Sequence, residues 1–284
     1  MTSIFYPSGA NLGTRNSNNG FVETLIAVSP NIVLYFDSGS NINNISASLF
    51  YITASNSVSS SYSATASYMD TNLQGWWKFN DGSGSGVTDS SIYKRHGVII
   101  GSGYSWITNS YVGSNSSALS LTPSSYVSFG TKIHMLGDMS LSIWLKYITN
   151  PSNYAGIFGC YQQGQPGVLL YLDSTNTNIT LEVSDGTNTA YVGSNNSITS
   201  SWHHFVATVD RTLNTMSMYV DSVFQGTVIC SSVGYNESTT QWVVNSRNDG
   251  GYNNKGTMYV DDARIYSRVL SQADVTALYS AGPQ

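Results

Sequence analysis

Charge is what this chain has least of. Only 10% of its 284 residues are Asp, Glu, Lys or Arg, and they sum to a net charge of −5. A nucleic-acid binder needs a basic face to replace counterions along the phosphates. A protein drawn to an anionic bilayer surface needs clustered Lys or Arg. Neither pattern is present, so the sequence predicts no nucleic-acid partner and no membrane partner. There is also no run of about 18 apolar residues, the length a bilayer-crossing helix requires. The opening residues Met1-Thr2-Ser3-Ile4-Phe5-Tyr6-Pro7 lack the basic-then-apolar pattern of a secretion signal. Cysteine is equally scarce. Cys160 and Cys230 are the only two; they read as partly buried strand thiols, with a disulfide left open because the spacing implies none. Glutamate is confined to Glu23, Glu182 and Glu237.

What the chain does have is Ser, Asn and Thr, with 26 Gly and 20 Tyr. This gives a polar surface without charge, which suits neutral partners: glycans or other protein subunits. The length allows one large β-domain plus a smaller piece.

Three regions separate along the sequence. Residues 1–53 alternate short apolar runs with Asn/Ser/Gly turns; Ile32-Val33-Leu34-Tyr35-Phe36 before Asp37-Ser38-Gly39-Ser40 reads as a strand and a turn. Some fifty residues bury only a marginal core, so this region is expected to anchor and oligomerise with support from neighbouring subunits. Residues 54–72 are low-complexity Ser/Ala/Thr sequence, with Tyr62 and Tyr68, and likewise Ile52 and Val58, six apart. They read either as a flexible linker or as a short trimeric shaft. Repeats of this composition resemble segments of bacteriophage tail and head fibres.

From Leu73 onward the pattern is all-β. Leu141, Ile143, Leu145 and Tyr147 alternate with Ser142, Trp144 and Lys146. Phe205, Ala207 and Val209 alternate with His204, Val206 and Thr208, and Met216, Met218 and Val220 do the same with Ser217, Tyr219 and Asp221. Period two over many short runs predicts a two-sheet antiparallel sandwich. The one helix signal is terminal: Ser271-Gln272-Ala273-Asp274 is a capping box, and Gly282 before Pro283 a stop.

Three stretches carry a family resemblance. They are Trp76-Trp77-Lys78-Phe79-Asn80-Asp81-Gly82-Ser83-Gly84, Trp202-His203-His204-Phe205-Val206-Ala207-Thr208-Val209-Asp210, and Tyr259-Val260-Asp261-Asp262-Ala263-Arg264-Ile265-Tyr266. In this order and separation they resemble the laminin-G-like branch of the concanavalin A-like jelly rolls, over residues 73–284. Asp89-Ser90-Ser91 and His96-Gly97 fit the same pattern. Ser222 and Asn245 depart from it, standing where such domains usually have glycine; Asn tolerates the left-handed conformation a glycine implies.

The resemblance implies one calcium ion at the sandwich rim, held by hard oxygen ligands. Among Asp81, Asp89, Asp261 and Asp262, it points first to Asp89 and Asp261. The alternative is that these carboxylates cap turns or pair with Arg264 and Arg95. His203 and His204, adjacent on a strand, face opposite ways and cannot share a metal; together with Trp77, Trp144 and Trp202 they read as structural. The hydrolytic branch of the fold needs alternating carboxylates on one strand facing a cleft. Glu182 and Asp185, three apart, face opposite ways, so no enzyme is expected. Aromatic and amide-rich loops remain as ligand contacts: Tyr104-Ser105-Trp106, Tyr161-Gln162-Gln163-Gly164-Gln165, and 248–254 with Tyr252 and Asn253 at its tip. Trp106, Tyr161, Tyr252 and Asn253 are the candidate glycan contacts.

The sequence is thus read as a non-enzymatic virion appendage, with other virion proteins as partners of its N-terminal region. A trimer would multiply weak head contacts into avidity. A decoration protein without a host ligand, and a secreted adhesion module that lost its leader in cloning, stay as alternatives.

Overall fold

The computed structural model describes residues 3–5, 11–14, 71–108, 117–130, 133, 137–149, 154–173, 178–195, 200–234, 240–247 and 255–284. The chain divides into two compact units, residues 1–53 and 54–284. In the first, β1 (Ser3–Phe5) and β2 (Asn11–Thr14) pair antiparallel. The expected strand at Ile32–Phe36 and most of the 54–72 segment lie outside the described residues.

The second unit is the sandwich. Its first half contains β3 (Leu73–Trp77), β4 (Gly86–Val87), β5 (Gly97–Gly101), β6 (Ser105–Thr108), β7 (Ser117–Leu121) and β8 (Ser125–Ser128). The long β9 (Met139–Thr149) follows, then β10 (Gly156–Gly159), β11 (Pro166–Leu172), β12 (Ile179–Asp185) and β13 (Thr189–Gly193). The remainder are β14 (Trp202–Asp210), β15 (Thr215–Val220), β16 (Val223–Ile229), β17 (Val243–Val244), β18 (Thr257–Tyr266) and the helix α1 (Gln272–Ala281). One sheet runs β16-β15-β14-β9-β18-β7-β6, with β3 also on β18; the other runs β13-β12-β11-β10-β17-β8-β5-β4. All pairings are antiparallel. We call them the helix-side sheet and the open sheet.

The alternation read from sequence holds. Leu141, Ile143, Leu145, Phe205, Ala207, Val209, Met216 and Met218 all enter the shared core, facing Val168, Leu170, Leu172, Leu181 and Val183 of the open sheet. At its centre Trp77 stacks on Phe129 at 3.8 Å, and Phe158 meets both edge-on at 6.4 Å. Gly75 makes room for that arrangement, because a Cβ there would lie 2.3 Å from the Trp77 ring. Both cysteines are buried thiols that no disulfide joins. The Ser271 capping box forms as expected, with Asp274 bonding back to the Ser271 backbone, and Gly282 ends the helix at φ 68°.

The two departures from glycine adopt the backbone a glycine would. Asp221 (φ 50°) and Ser222 (φ 68°) form the two-residue turn between β15 and β16, both left-handed as a type I′ hairpin requires. Asn245 (φ 59°) is fully buried. Its amide donates to the carbonyls of Thr122, Ser125 and Gly256 and accepts from the Gly256 N–H. Glycine would meet the backbone need at this corner and tie none of these loops together.

β18 carries a bulge that sets the outer face of the helix-side sheet. Asp261 pairs with Trp144 and Arg264 with Ser142, so three steps on β18 oppose two on β9. Met258 and Val260 before the bulge, and Ala263 and Ile265 after it, point into the core. Asp261 and Asp262 are therefore both turned outward. Here β18 also changes its neighbour, from β7 at Val260 to β3 at Ala263.

Candidate functional site

Three of the four motif carboxylates, Asp81, Asp89 and Asp262, are consumed by the chain itself. Asp89 is fully buried; Oδ1 accepts from the N–H of Trp76 (2.9 Å) and Ser91 (2.8 Å), and Oδ2 from the Arg95 N–H (2.7 Å) and the Ser91 hydroxyl (2.8 Å). Its own N–H donates to His96 Nδ1, so the Asp-Ser-Ser and His-Gly segments brace each other. Asp81 accepts from the Thr88 N–H across the Gly82–Gly84 turn. Asp262 receives Arg264 in two parallel bonds of 2.9 and 2.8 Å and the Trp76 indole N–H at 2.5 Å. Asp261 is buried beside Trp144. Asp89 does not fit a calcium site, because an ion there would have to displace four chain donors. Among the described residues no three His, Cys, Asp or Glu side chains gather as a metal would require.

The histidines separate as expected. His203 shares a 2.6 Å bond with Asp221, while His204 turns outward and shares 2.8 Å with Ser142 Oγ. Trp144 stacks on His204 at 5.1 Å and on Tyr279 of α1 at 5.7 Å. Burial, with the nearby Arg264 charge, drives the His204 pKa down to about 3, so it is neutral at pH 7.

Of the four candidate glycan contacts, the structure places two. Trp106 lies not in a loop but on β6, where its indole N–H donates to the Gly84 carbonyl at 2.9 Å and its ring packs on the core. It fastens the Gly82–Gly84 turn. Tyr252 and Asn253 lie outside the described residues. Tyr161 enters an aromatic cluster on the outer face of the open sheet.

That cluster is built by register. On β11 and β12 the even-odd alternation sends Val168, Leu170, Leu172, Leu181 and Val183 inward, leaving Leu169, Tyr171, Thr180 and Glu182 facing out. Glu182 is flanked by Leu169 on β11 and Tyr191 on β13. Tyr161, Leu169 and Tyr171 pack together, and Tyr154 meets Tyr171 with ring centroids 6.0 Å apart. Arg247, just past β17, lays its guanidinium 5.1 Å from the Tyr161 ring and 5.7 Å from Tyr171. Gly156 permits this path, because a Cβ there would strike the Ser246 carbonyl at 2.3 Å and the Arg247 stem at 2.8 Å.

Exposure divides the cluster into floor and rim. Tyr161, Tyr171 and Leu169 are buried and Glu182 is only 4% exposed, whereas Tyr154 is 42% and Tyr191 52% exposed. Burial and then the hydrogen bond to Glu182 push the Tyr161 phenol up, and burial followed by the Glu182 charge does the same for Tyr171. Both therefore stay protonated donors at any physiological pH. The result is two solvent-facing rings beside a half-buried guanidinium, over a floor holding one carboxylate. Aromatic faces that stack on apolar C–H surfaces, next to fixed polar groups, are the usual make-up of a small-ligand site. The sequence offered a signal for it: outward positions on adjacent strands filled by Tyr and Glu where Ser or Thr would suffice.

Comparison with known proteins now fits this geometry. Residues 121–276, more than half of the chain, match the family model Laminin_G_3, described as the concanavalin A-like lectin/glucanases superfamily. The chain belongs to this family. A comparison with curated proteins gave no match. Among solved structures, it is similar to the receptor-binding domain of botulinum neurotoxin C/D mosaic serotype, with TM-score 0.57 and 16% identity over 74% of this chain and 51% of that one. It is also similar to the binding domain of Paraclostridial Mosquitocidal Protein 1 (TM-score 0.57, 14% identity, 73% and 52% covered). Domain 4 of AbnA, a GH43 extracellular arabinanase from Geobacillus stearothermophilus solved with arabinotriose, matches at TM-score 0.57 and 16% identity, over 72% of this chain and 97% of that one. The chain spans about half the length of the two toxin domains. At such identities the likeness is one of fold. Among the described residues, no helix of this concanavalin A-like chain is long and apolar enough to cross a membrane.

Proposed function

We propose that this chain is a non-enzymatic virion appendage, of phage fibre or decoration type, whose concanavalin A-like domain binds a neutral cell-surface glycan. The observation that carries the reading is the tyrosine cluster of Tyr154, Tyr161, Tyr171 and Tyr191 around Arg247 and Glu182 on the open sheet. It offers stacking planes and hydrogen-bond groups at one place on a surface otherwise poor in charge. The arabinotriose bound to the AbnA domain supports sugar as ligand chemistry on this fold. A binding role is favoured over hydrolysis because, among the described residues, Asp185, the acid three residues beyond Glu182, turns away from it to accept the N–H groups of Thr187, Asn188 and Gly234.

The virion assignment draws on the sequence. Residues 54–72 have the low-complexity composition and six-residue echoes of a fibre shaft, and residues 1–53 would supply attachment to other virion proteins. Trimeric display on a particle would raise the effective concentration of a weak head site. The test is a glycan array probed with the full chain and with a Tyr154→Ala/Tyr191→Ala double variant, beside its mass by light scattering. Sugar-specific retention lost in the double variant, on a trimer, is the expected result. Silence toward every glycan combined with firm retention on particles would overturn the binding role and favour a decoration protein without a host ligand.

A further inference from the structure

The cluster holds two opposite charges, and their placement decides which sugars it can take. Glu182 is nearly inaccessible, set between the apolar Leu169 and the ring of Tyr191, a setting in which a lone charge is costly. Tyr161 joins the two charged groups: its hydroxyl bonds Glu182, and its ring face carries the Arg247 guanidinium at 5.1 Å. Arg247, half-buried, is the one of the two that reaches solvent. The other titratable side chains around the pair, among the described residues, are phenols; burial raises those of Tyr171 and Tyr191, which are neutral at physiological pH.

Resting on the glycan-binding reading, we propose that Glu182 is the specificity-determining residue of this site. By cancelling the charge of Arg247 from beneath, it directs the cluster to neutral sugars and against sugars bearing a carboxylate or sulfate. A neutral sugar stacks its C–H face on Tyr191 or Tyr154, and its hydroxyl oxygens accept from the guanidinium without disturbing the charge balance. An anionic sugar would draw Arg247 into a paired, charge-assisted contact. That leaves the Glu182 charge uncompensated in apolar surroundings, or sets two carboxylates near each other, and either opposes binding.

The experiment is biolayer interferometry of the full chain against immobilised neutral oligosaccharides and against their uronate and sialylated counterparts. Glu182→Gln keeps the side chain's volume and a hydrogen-bonding end for Tyr161 while removing the charge. It is expected to raise the ratio of anionic-sugar to neutral-sugar affinity about tenfold, which corresponds to about 1.4 kcal/mol. An unchanged ratio, or a wild-type chain that already prefers anionic sugars, overturns the inference. If Glu182→Gln does not fold, the wild-type salt dependence decides. Neutral-sugar affinity should vary by less than about twofold between low and high salt, and a steep fall of ion-pair type overturns the charge-balance idea. Neutral-sugar binding that survives Tyr191→Ala places the ligand elsewhere and overturns this inference while the glycan reading stands. Failure to hold any sugar removes the reading on which it rests.

Discussion

The two outer faces of the sandwich use the same residue types to opposite ends. On the helix-side sheet, Trp76, Asp262, Arg264, Trp144, His204 and Tyr279 are locked together: a carboxylate takes a bidentate guanidinium and an indole N–H, and Trp144 stacks with His204 and with Tyr279 from α1. On the open sheet, Tyr154, Tyr161, Tyr171, Tyr191, Glu182 and Arg247 repeat the theme of rings, one carboxylate and one guanidinium, but two rings face solvent. A covered polar network specifies the position of the element that covers it. An uncovered one offers its unused faces to something else. The comparison separates residues that hold this fold from residues that act on its surface, and it can be broken one face at a time.

The largest effect is expected at Asp262→Ala. It strips the carboxylate from Arg264, leaving a guanidinium with only 4% of its side chain exposed and taking the acceptor from Trp76. Breaking a buried pair by removing one partner costs about 3–5 kcal/mol. Urea denaturation should show that loss, and a cost under about 1 kcal/mol would mean the network does not support the fold. Next is Asn245→Ala, which removes the amide donor from the carbonyls of Thr122, Ser125 and Gly256, takes the side-chain acceptor from the Gly256 N–H, and puts Ala at a left-handed position. A cost of about 3 kcal/mol is expected by the same measurement.

The third test uses pH. His204 is buried neutral, with a pKa of about 3 against an ordinary 6.5, so the unfolded chain binds the proton first. Its contribution is complete above pH 6.5 and drains away as pH falls from 6.5 toward 3, amounting to about 2 kcal/mol by pH 5. The depressed carboxylates Asp221 and Asp274 act in the same direction only lower, below about pH 4. Thermal melts from pH 7 to 5 should therefore show a slope that His204→Gln flattens, whatever that substitution costs at pH 7. An equal slope in both would assign the acid sensitivity elsewhere.

Much of the helix-side sheet was legible in the sequence because its determinants are local. Period two in β9, β14 and β15 gave the core face, and Ser271 with Asp274 gave the helix start. Asn245 and Ser222 were readable as left-handed positions from the glycines they replace. The bulge at Asp261–Asp262 was not, since it shifts the alternation by one and only the partner strand shows it. The cover over His204 and Trp144 comes from Tyr279, 75 residues beyond His204 in sequence, so nothing nearby announces it. Trp106 misled because a Tyr-Ser-Trp segment looks like a loop until β7 pairs with it. Of the tyrosine cluster, only Tyr161 was singled out from the sequence as a contact, although Tyr and Glu at outward positions of β11 and β12 were a signal. The cluster's other members come from separate strands and turns, and only the register brings Tyr171, Glu182, Tyr191 and Arg247 to one place.

On the open face, stability and function should part company. Tyr191 is half in solvent, so Tyr191→Ala is expected to cost no more than about 0.5 kcal/mol yet to abolish sugar retention. A large loss of stability would make the ring a structural cover like Tyr279.

The smallest expected effect concerns calcium. Ca²⁺ needs six to eight oxygens with lone pairs to spare, and both Asp89 oxygens already accept two chain donors each. That carboxylate belongs with the covered network in kind, since it satisfies backbone N–H groups at Trp76, Ser91 and Arg95. Added calcium should therefore leave the melting temperature unchanged within about 1 °C, while Asp89→Asn should lower stability by about 2 kcal/mol with or without the ion. A calcium-dependent rise in the wild-type melt that vanishes in Asp89→Asn would show that the ion can displace those donors. Asp89 would then move from the residues that hold the fold to those that bind.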